Sequence, residues 1–234
     1  TPFGATESLP IASIGSREVL SDTGKFAMQG KGVCVGRPSP EITLRVITIS
    51  DEPIATWNDS LLVPQGTIGE IAVAGPVVTR EYWARPEQTK LAKIQDGERV
   101  VHRMGDVGYL DPQGRLWMCG RKGHRVETSG GTLFTTPVEE VINQVRAVKR
   151  SALVGVGPKG SQTPVVLLER EKDYGSPEPV LLDEVRALAK QFDTTKSIVH
   201  FHVFPGEIHV DKRHNAKIER EKLAVWAAEK GLGR

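Results

Sequence analysis

HRMGDVGYLDPQGRLWMCGRKGHRVETSGG, from His102 to Gly131, is the stretch on which the reading of this chain turns. VVHRMGDVGYLD and GRLWMCGR flank Asp111-Pro112-Gln113-Gly114. Pro at the second turn position and Gly at the fourth predict a β-hairpin. Asp106 stands on the first arm among glycines, and Arg121 follows Gly120 at the end of the second. A carboxylate suits a vicinal diol such as a ribose, because its two oxygens accept from both hydroxyls. Arginine suits a phosphate, because its fork donates two parallel charge-assisted hydrogen bonds. Together they predict a nucleotide held by sugar and phosphate at the end of the hairpin.

Upstream, short β signals dominate. LRVITIS (Leu44 to Ser50) alternates apolar and polar residues as a half-buried strand does, and IGEIAVAGP (Ile68 to Pro76) is a second strand closed by Gly-Pro. EYWARPEQTKLA reads as a tight turn and a short helix. A compact, β-barrel-like subdomain is expected for residues 1–121. Beyond Arg121 helices enter the pattern. HRVET is a short strand and SGG a glycine turn. TTPVEEVINQVRAV predicts a helix capped by Thr136, with Pro137 in first position and Glu139 and Glu140 in the first turn. SALVGVG, TPVVLLERE and IVHFHVFP read as strands. LLDEVRALAKQF places Leu182, Val185, Leu188 and Ala189 on one helical face, and AKIEREKLAVWAAEKG is a final helix ended by Gly231. The expected fold class is α+β: a β-rich part over residues 1–121, then a small α+β domain over 122–234. Gly123 lets the backbone turn at the joint.

A chain of 234 residues can bury one sizeable core or two smaller ones. Its 38% hydrophobic and 26% charged residues are those of a globular protein. The formal charge of +2 gives no general drive toward nucleic acid or an anionic membrane, and no aromatic-interleaved basic stripe is present. No apolar run approaches the roughly 20 residues of a membrane helix, so no transmembrane segment is expected. Cys34 and Cys119 either form a bridge or, as the commoner state in a cytoplasmic chain, stay reduced; a cytoplasmic location is expected.

Several residues have plain readings beside the chemical ones. Asp106 alone reads as a turn cap, Arg121 as a solvated charge, Thr6 as an N-cap and Glu7 as a surface carboxylate. Lys217 is one of five basic residues between Lys212 and Lys222, which by default is a solvated helix start. His200 and His202 share a strand face, but no third ligand stands at metal-binding spacing, so a solvated face is expected. Trp57, Trp83, Trp117 and Trp226 read as core or surface anchors.

Four blocks in order resolve these choices: TPFGATE (Thr1 to Glu7), RMGDVGYLD (Arg103 to Asp111), GRKGHRVETSGG (Gly120 to Gly131) and HNAKIER (His214 to Arg220). They resemble the Gly-x-Thr-Glu, R-T-G-D-x-G-x-x-D, G-R-x-x-D-x-I-K-x-x-G and G-K-I-x-R motifs of the adenylate-forming superfamily, which includes acyl-CoA synthetases. The resemblance implies ATP and Mg²⁺ as cofactors. It implies nucleotide contacts from Gly4, Thr6, Asp106, Arg121 and Lys217, with Phe3 beside the adenine, and a metal contact from Glu7. Lys217 and Arg121 become the expected catalytic residues. In that family the first block lies past the middle of a large N-terminal domain whose upstream part carries a phosphate loop. This chain is therefore expected to be the C-terminal half of a longer enzyme, inactive alone, with a mobile lid pivoting near Gly123. One pose would bring in Lys217, the other the Ser129–Gly131 turn.

A narrower likeness lies in TPFGATESLPIASI, GKGVCVGRP, LWMCGRKGHRVET and RHNAKIEREKLAVWA, which closely resemble the olefin β-lactone synthetases of bacterial long-chain hydrocarbon biosynthesis. That family implies a 2-alkyl-3-hydroxy fatty acid substrate, a long-chain β-hydroxy acid whose 3-hydroxyl closes a β-lactone after adenylation. It also implies assembly with a β-lactone decarboxylase and a ketone reductase. Against the wider superfamily, Gly123 and His124 replace acidic or lysine hinge residues, Glu127 replaces a lysine, and Ala216 replaces a glycine. The alternative is a long-chain fatty acyl-CoA ligase. A reading of another class is a non-catalytic nucleotide-binding module, since the phosphate loop is absent from this sequence.

Overall fold

The computed structural model describes residues 2–210 and 217–233. The chain divides into two compact units, Thr1–Phe26 with Gly32–Gly123, and Ala27–Lys31 with His124–Arg234.

The first unit holds β1 (Pro2–Ala5), β2 (Ser8–Ser13), β3 (Val33–Pro38), β4 (Thr43–Ile47), β5 (Gly69–Ala74), β6 (Lys93–Asp96), β7 (Arg99–Leu110) and β8 (Leu116–Arg121). Two short helical turns, α1 (Ser16–Glu18) and α2 (Gly24–Ala27), follow β2, and α3 (Pro86–Ala92) precedes β6. α3 starts on Pro86, where the missing N–H costs nothing. The strands form one antiparallel sheet in the order β1-β2-β3-β8-β7-β5-β4. β6 pairs with residues 99–102 of β7, a stretch β8 does not reach. The sheet is open, so the barrel-like expectation is corrected. Closure needs the end strands to pair with each other. Here the path ends at β1 and β4, and register breaks in β3, β5 and β7 bend the sheet without joining those edges.

β5 is buried at all six positions, as a strand covered on both faces must be. Its period of two divides it between two cores. Ile71 and Val73 join Ile11, Ile42, Met104 and Leu116, whereas Ala72 and Ala74 join Ile47, Ile94 and Val101. β4 stops at Ile47 rather than Ser50, and the Ser50 carbonyl instead accepts from Arg103 and Lys122.

The second unit contains a β9 (Val126–Thr128) and β10 (Gly131–Leu133) hairpin, α4 (Thr135–Ile142), β11 (Val148–Val156), β12 (Thr163–Arg170), α5 (Glu178–Ala189), β13 (His200–Val203) and α6 (Arg220–Glu229). β11 and β12 are antiparallel, and β13 joins β12 in parallel. Alternation along β12 again builds two faces. Val166 and Leu168 pack with α4 and α5 through Val138, Val141, Leu181 and Val185, while Val165 and Leu167 pack with Ile218, Leu223 and Ala227.

Three helix expectations need correction. α4 begins at Thr135 with Phe134 in the cap position, so Thr136 lies inside the helix and Pro137 is its third residue. α5 buries Leu181, Val185 and Ala189, spaced by four, with Leu182 and Leu188 at the margins of that stripe. α6 begins at Arg220, because Ile218 is drawn into a β-bridge with Val210 and Lys217 is left ahead of the helix. Gly231, at φ +68°, ends α6 as expected: its N–H reaches the Ala228 carbonyl and that of Leu232 reaches Ala227.

Candidate nucleotide site

The β7–β8 hairpin is fastened at its turn by Asp111. One carboxylate oxygen accepts the Gln113 and Arg115 N–H groups at 2.9 and 2.8 Å. The other accepts Arg115 Nε at 2.7 Å and Trp117 Nε1 at 2.9 Å. Burial raises this carboxyl's pKa, but the donors outweigh it and hold the group below the usual carboxylate range. Trp117 stacks on Tyr109 with centroids 6.1 Å apart. The structural role of Asp111 beyond the turn was missed in the sequence; its signals were the arginine four residues on and the tryptophan six residues on.

Near the turn, Leu110 faces Leu116 and Gly108 faces Met118. Cys119 is then an extra residue on β8, so Val107 faces Gly120 and Asp106 faces Arg121. Without that bulge Asp106 would lie opposite Gly120. The bulge thus brings the two expected nucleotide ligands together, with Arg121 Nε 3.1 Å from Asp106 Oδ1. The Asp106 side chain is 10% exposed and that of Arg121 42%, so Arg121 is the partner with room to turn outward. Gly105, at φ +66°, supplies the left-handed backbone just before Asp106.

Beyond Arg121, Lys122 ties the end of the hairpin into a buried charge cluster. Its ammonium lies 3.1 Å from Glu70 Oε1 and donates to the Ser50 carbonyl at 2.8 Å. Glu70 in turn binds Arg103 Nη2 at 2.7 Å. None of Glu70, Arg103 and Lys122 was singled out from sequence, because charged residues in a β pattern read as solvent-facing.

Gly4, Thr6 and Glu7 belong to the β1–β2 hairpin of the same sheet, with β3 between β2 and β8. A Cβ on Gly4 would sit 2.5 Å from the Ser8 carbonyl oxygen, which only glycine avoids. Thr6 is exposed in the turn. Glu7 is gripped by the loop after β5: its carbonyl accepts from Thr79 N at 2.9 Å, and Oε1 accepts from the Tyr82 hydroxyl at 2.7 Å. Burial pushes the Glu7 carboxyl up, but the Tyr82 hydrogen bond and the nearby His102 and Lys93 bring it below its ordinary value. Beneath it, Lys93 donates to both oxygens of Thr79. Burial lowers Lys93 to about 8 and, with the neighbouring Lys93 charge, His102 to about 4. His102 donates from Nδ1 to the Ala92 carbonyl at 3.1 Å.

In the second unit Lys217 is exposed, immediately before the buried Ile218. His214, Asn215 and Ala216 of the fourth block lie outside the described residues. The Ser129–Gly130 turn is closed by Thr128, whose hydroxyl donates to the Gly131 carbonyl at 2.8 Å and accepts from Gly130 N. Glu127, at the position of a superfamily lysine, pairs with Arg125. His200 and His202 stack with centroids 6.4 Å apart; among the described residues no group of three or more His, Cys, Asp or Glu is arranged to hold a metal. Cys34 and Cys119 are free thiols.

No family model matches the chain. An olefin β-lactone synthetase from Stenotrophomonas maltophilia (strain K279a) is 49% identical over 233 residues, covering 97% of this chain and 42% of that protein. A protein of the same name from Xanthomonas campestris pv. campestris is 45% identical over 235 residues, covering 98% and 42%. The chain thus spans 42% of the length of these curated relatives. Among solved structures, o-succinylbenzoate coenzyme A synthetase from Bacillus subtilis in complex with AMP superposes with a TM-score of 0.71. That match is 21% identical and covers 95% of this chain and 40% of the other, a likeness of fold alone. With nearly one residue in two shared along almost its whole length, this chain groups by sequence with the olefin β-lactone synthetases.

Proposed function

We propose that this chain supplies the nucleotide-binding hairpin and the adenylation lysine of an ATP-dependent ligase that converts a 2-alkyl-3-hydroxy fatty acid into a β-lactone, AMP and pyrophosphate. The observation that carries the reading is the bulge-set pairing of Asp106 with Arg121 in a chain 49% identical to such a synthetase. Asp106 accepts hydrogen bonds from the ribose hydroxyls. Arg121 and Thr6 donate to the α-phosphate, with Gly4 beside the acyl carbonyl and Phe3 beside the adenine.

A carboxylate is a poor acyl donor because its leaving group is oxide. In the first half-reaction its oxygen attacks the α-phosphorus of ATP in line and pyrophosphate departs. Lys217 brings a positive charge to the phosphate and carboxylate oxygens as that bond forms. In the second, the 3-hydroxyl oxygen attacks the adenylated carbonyl, the bond to AMP breaks, and the hydroxyl proton is released. CoA has no part in this balance. Two different steps at one carbonyl call for a moving lid. In this reading residues 122–234 are that lid and Gly123 its pivot, with Ser129–Gly131 brought in for the second step.

Glu7 fits a Mg²⁺ contact. Its carboxyl is held anionic, and Tyr82 engages Oε1. Mg²⁺ typically takes one or two carboxylates together with substrate phosphates, and one Glu beside a phosphate-binding Thr meets that demand. When bound, the ion supplies charge neutralisation for the departing pyrophosphate. No helix among the described residues is long and apolar enough to cross a membrane. A β-lactone decarboxylase and a ketone reductase are the proposed neighbours in the pathway.

The test uses an enzyme carrying this chain at the full length of its relatives, given a 2-alkyl-3-hydroxy acid and ATP with and without CoA. Lactone and AMP form at the same rate in both, on this reading. Product that forms only with CoA assigns the enzyme to acyl-CoA ligation, and failure to release pyrophosphate assigns a non-catalytic module.

A further inference from the structure

Arg220 closes the fourth block, three residues after Lys217. Its Nη2 lies 2.8 Å from Glu139 Oε1 and 2.6 Å from Oε2, and its Nε lies 3.3 Å from Oε1. Glu139 Oε1 also accepts the Leu153 N–H at 2.9 Å. The two side chains are 13% and 12% exposed. One carboxylate on α4 therefore fastens the first residue of α6 to the middle of β11.

The residues between Lys217 and Arg220 are fixed as well. Ile218 is 8% exposed, packs beside Leu223 and Ala227, and bridges to Val210. Glu219 N donates to the His209 carbonyl at 3.1 Å, and Arg220 N to that of Ile218 at 2.9 Å. Lys217 is the exposed residue at the end of this anchored run.

We infer that Glu139 and Arg220 are a positioning pair for Lys217, fixing the backbone from which its ammonium reaches the reacting phosphate. This rests on the reading of Lys217 as the adenylation cation. A buried ion pair is weak evidence for net stability, because desolvation consumes most of its attraction. A bidentate guanidinium–carboxylate contact does fix direction. Direction is what a swinging cation needs, since a misplacement of about 1 Å can cost about 10²-fold in rate. With the clamp weakened, the lysine samples more backbone positions and meets the transition state less often, while ATP binding through Asp106 and Arg121 is unaffected.

The experiment uses the full-length enzyme and four variants: Lys217→Ala, Glu139→Gln, Arg220→Lys and the double variant Lys217→Ala/Glu139→Gln. ATP–pyrophosphate exchange reads adenylate formation, and lactone release from supplied acyl adenylate reads the second step. Glu139→Gln and Arg220→Lys are expected to lower kcat for exchange about 10–100-fold with KM for ATP nearly unchanged, and to leave the second step intact. In the Lys217→Ala background Glu139→Gln is expected to add almost nothing. An equal loss in both half-reactions, or the same loss with and without Lys217, overturns the inference. Arg220→Lys keeps the charge pair, so it reports even where Glu139→Gln fails to fold. If Lys217→Ala leaves exchange intact, the lysine reading and this inference fall together; if it abolishes exchange and the clamp variants do not, only the inference falls.

Discussion

Replacing Lys217 by Ala is expected to slow adenylate formation about 10²–10³-fold while leaving lactone closure from supplied acyl adenylate close to wild type. The magnitude is that of removing one preorganised donor from a developing oxyanion. The selectivity follows from when the charge appears. Negative charge moves from the carboxylate onto the α-phosphate oxygens and the departing pyrophosphate as the acid attacks phosphorus. During lactone closure the acceptor is a carbonyl and the leaving group is AMP. Lys217 is exposed and its near neighbour Ile218 anchors the backbone, so truncation removes an amine without opening a core. Rapid-quench measurement of the two half-reactions separately checks this. Equal slowing of both contradicts the assigned role.

Arg103→Ala is expected to have the largest effect on stability, costing about 3–5 kcal/mol, as breaking a buried pair by removing one partner does. Arg103 is 3% exposed and Glu70 fully buried. The guanidinium binds Glu70 through Nε and Nη2 and also donates to the carbonyls of Ser50, Glu52 and Leu91. Truncation removes a donor from each of those three carbonyls and leaves Lys122, itself 18% exposed, as the cation at Glu70. Removing both charges with Glu70→Gln/Arg103→Met is expected to cost less than Arg103→Ala alone. Denaturant unfolding monitored by tryptophan fluorescence measures both. A loss under about 1 kcal/mol for Arg103→Ala contradicts the view that this pair holds the sheet behind the hairpin.

The parts of this structure that were legible in the sequence are those written locally. Asp111-Pro112-Gln113-Gly114 announces its own turn, and the alternation of apolar and polar residues in LRVITIS announces β4. The approach of Asp106 to Arg121 was half legible. Their types and the hairpin were visible, but the one-residue bulge at Cys119 that puts them opposite each other carries no local signature. The open sheet was read as a barrel because closure depends on which edges meet, a long-range property. Glu70, Arg103 and Lys122 escaped notice for a related reason: burial of a charge depends on partners 12 to 72 residues away in sequence. Lys217 was assigned to a helix because its basic neighbourhood continues smoothly into α6. The bridge from Ile218 to Val210 is what delays the helix to Arg220.

The central claim is that Asp106 holds the ribose of a nucleotide, and a pair of ligands tests it. ATP and 2′,3′-dideoxy-ATP are titrated calorimetrically into the full-length enzyme and its Asp106→Asn variant. The account predicts that the substitution weakens ATP about 10–100-fold, the worth of a charge-assisted hydrogen bond, yet leaves the affinity for the dideoxy nucleotide unchanged. Equal weakening of both nucleotides, or of neither, contradicts it.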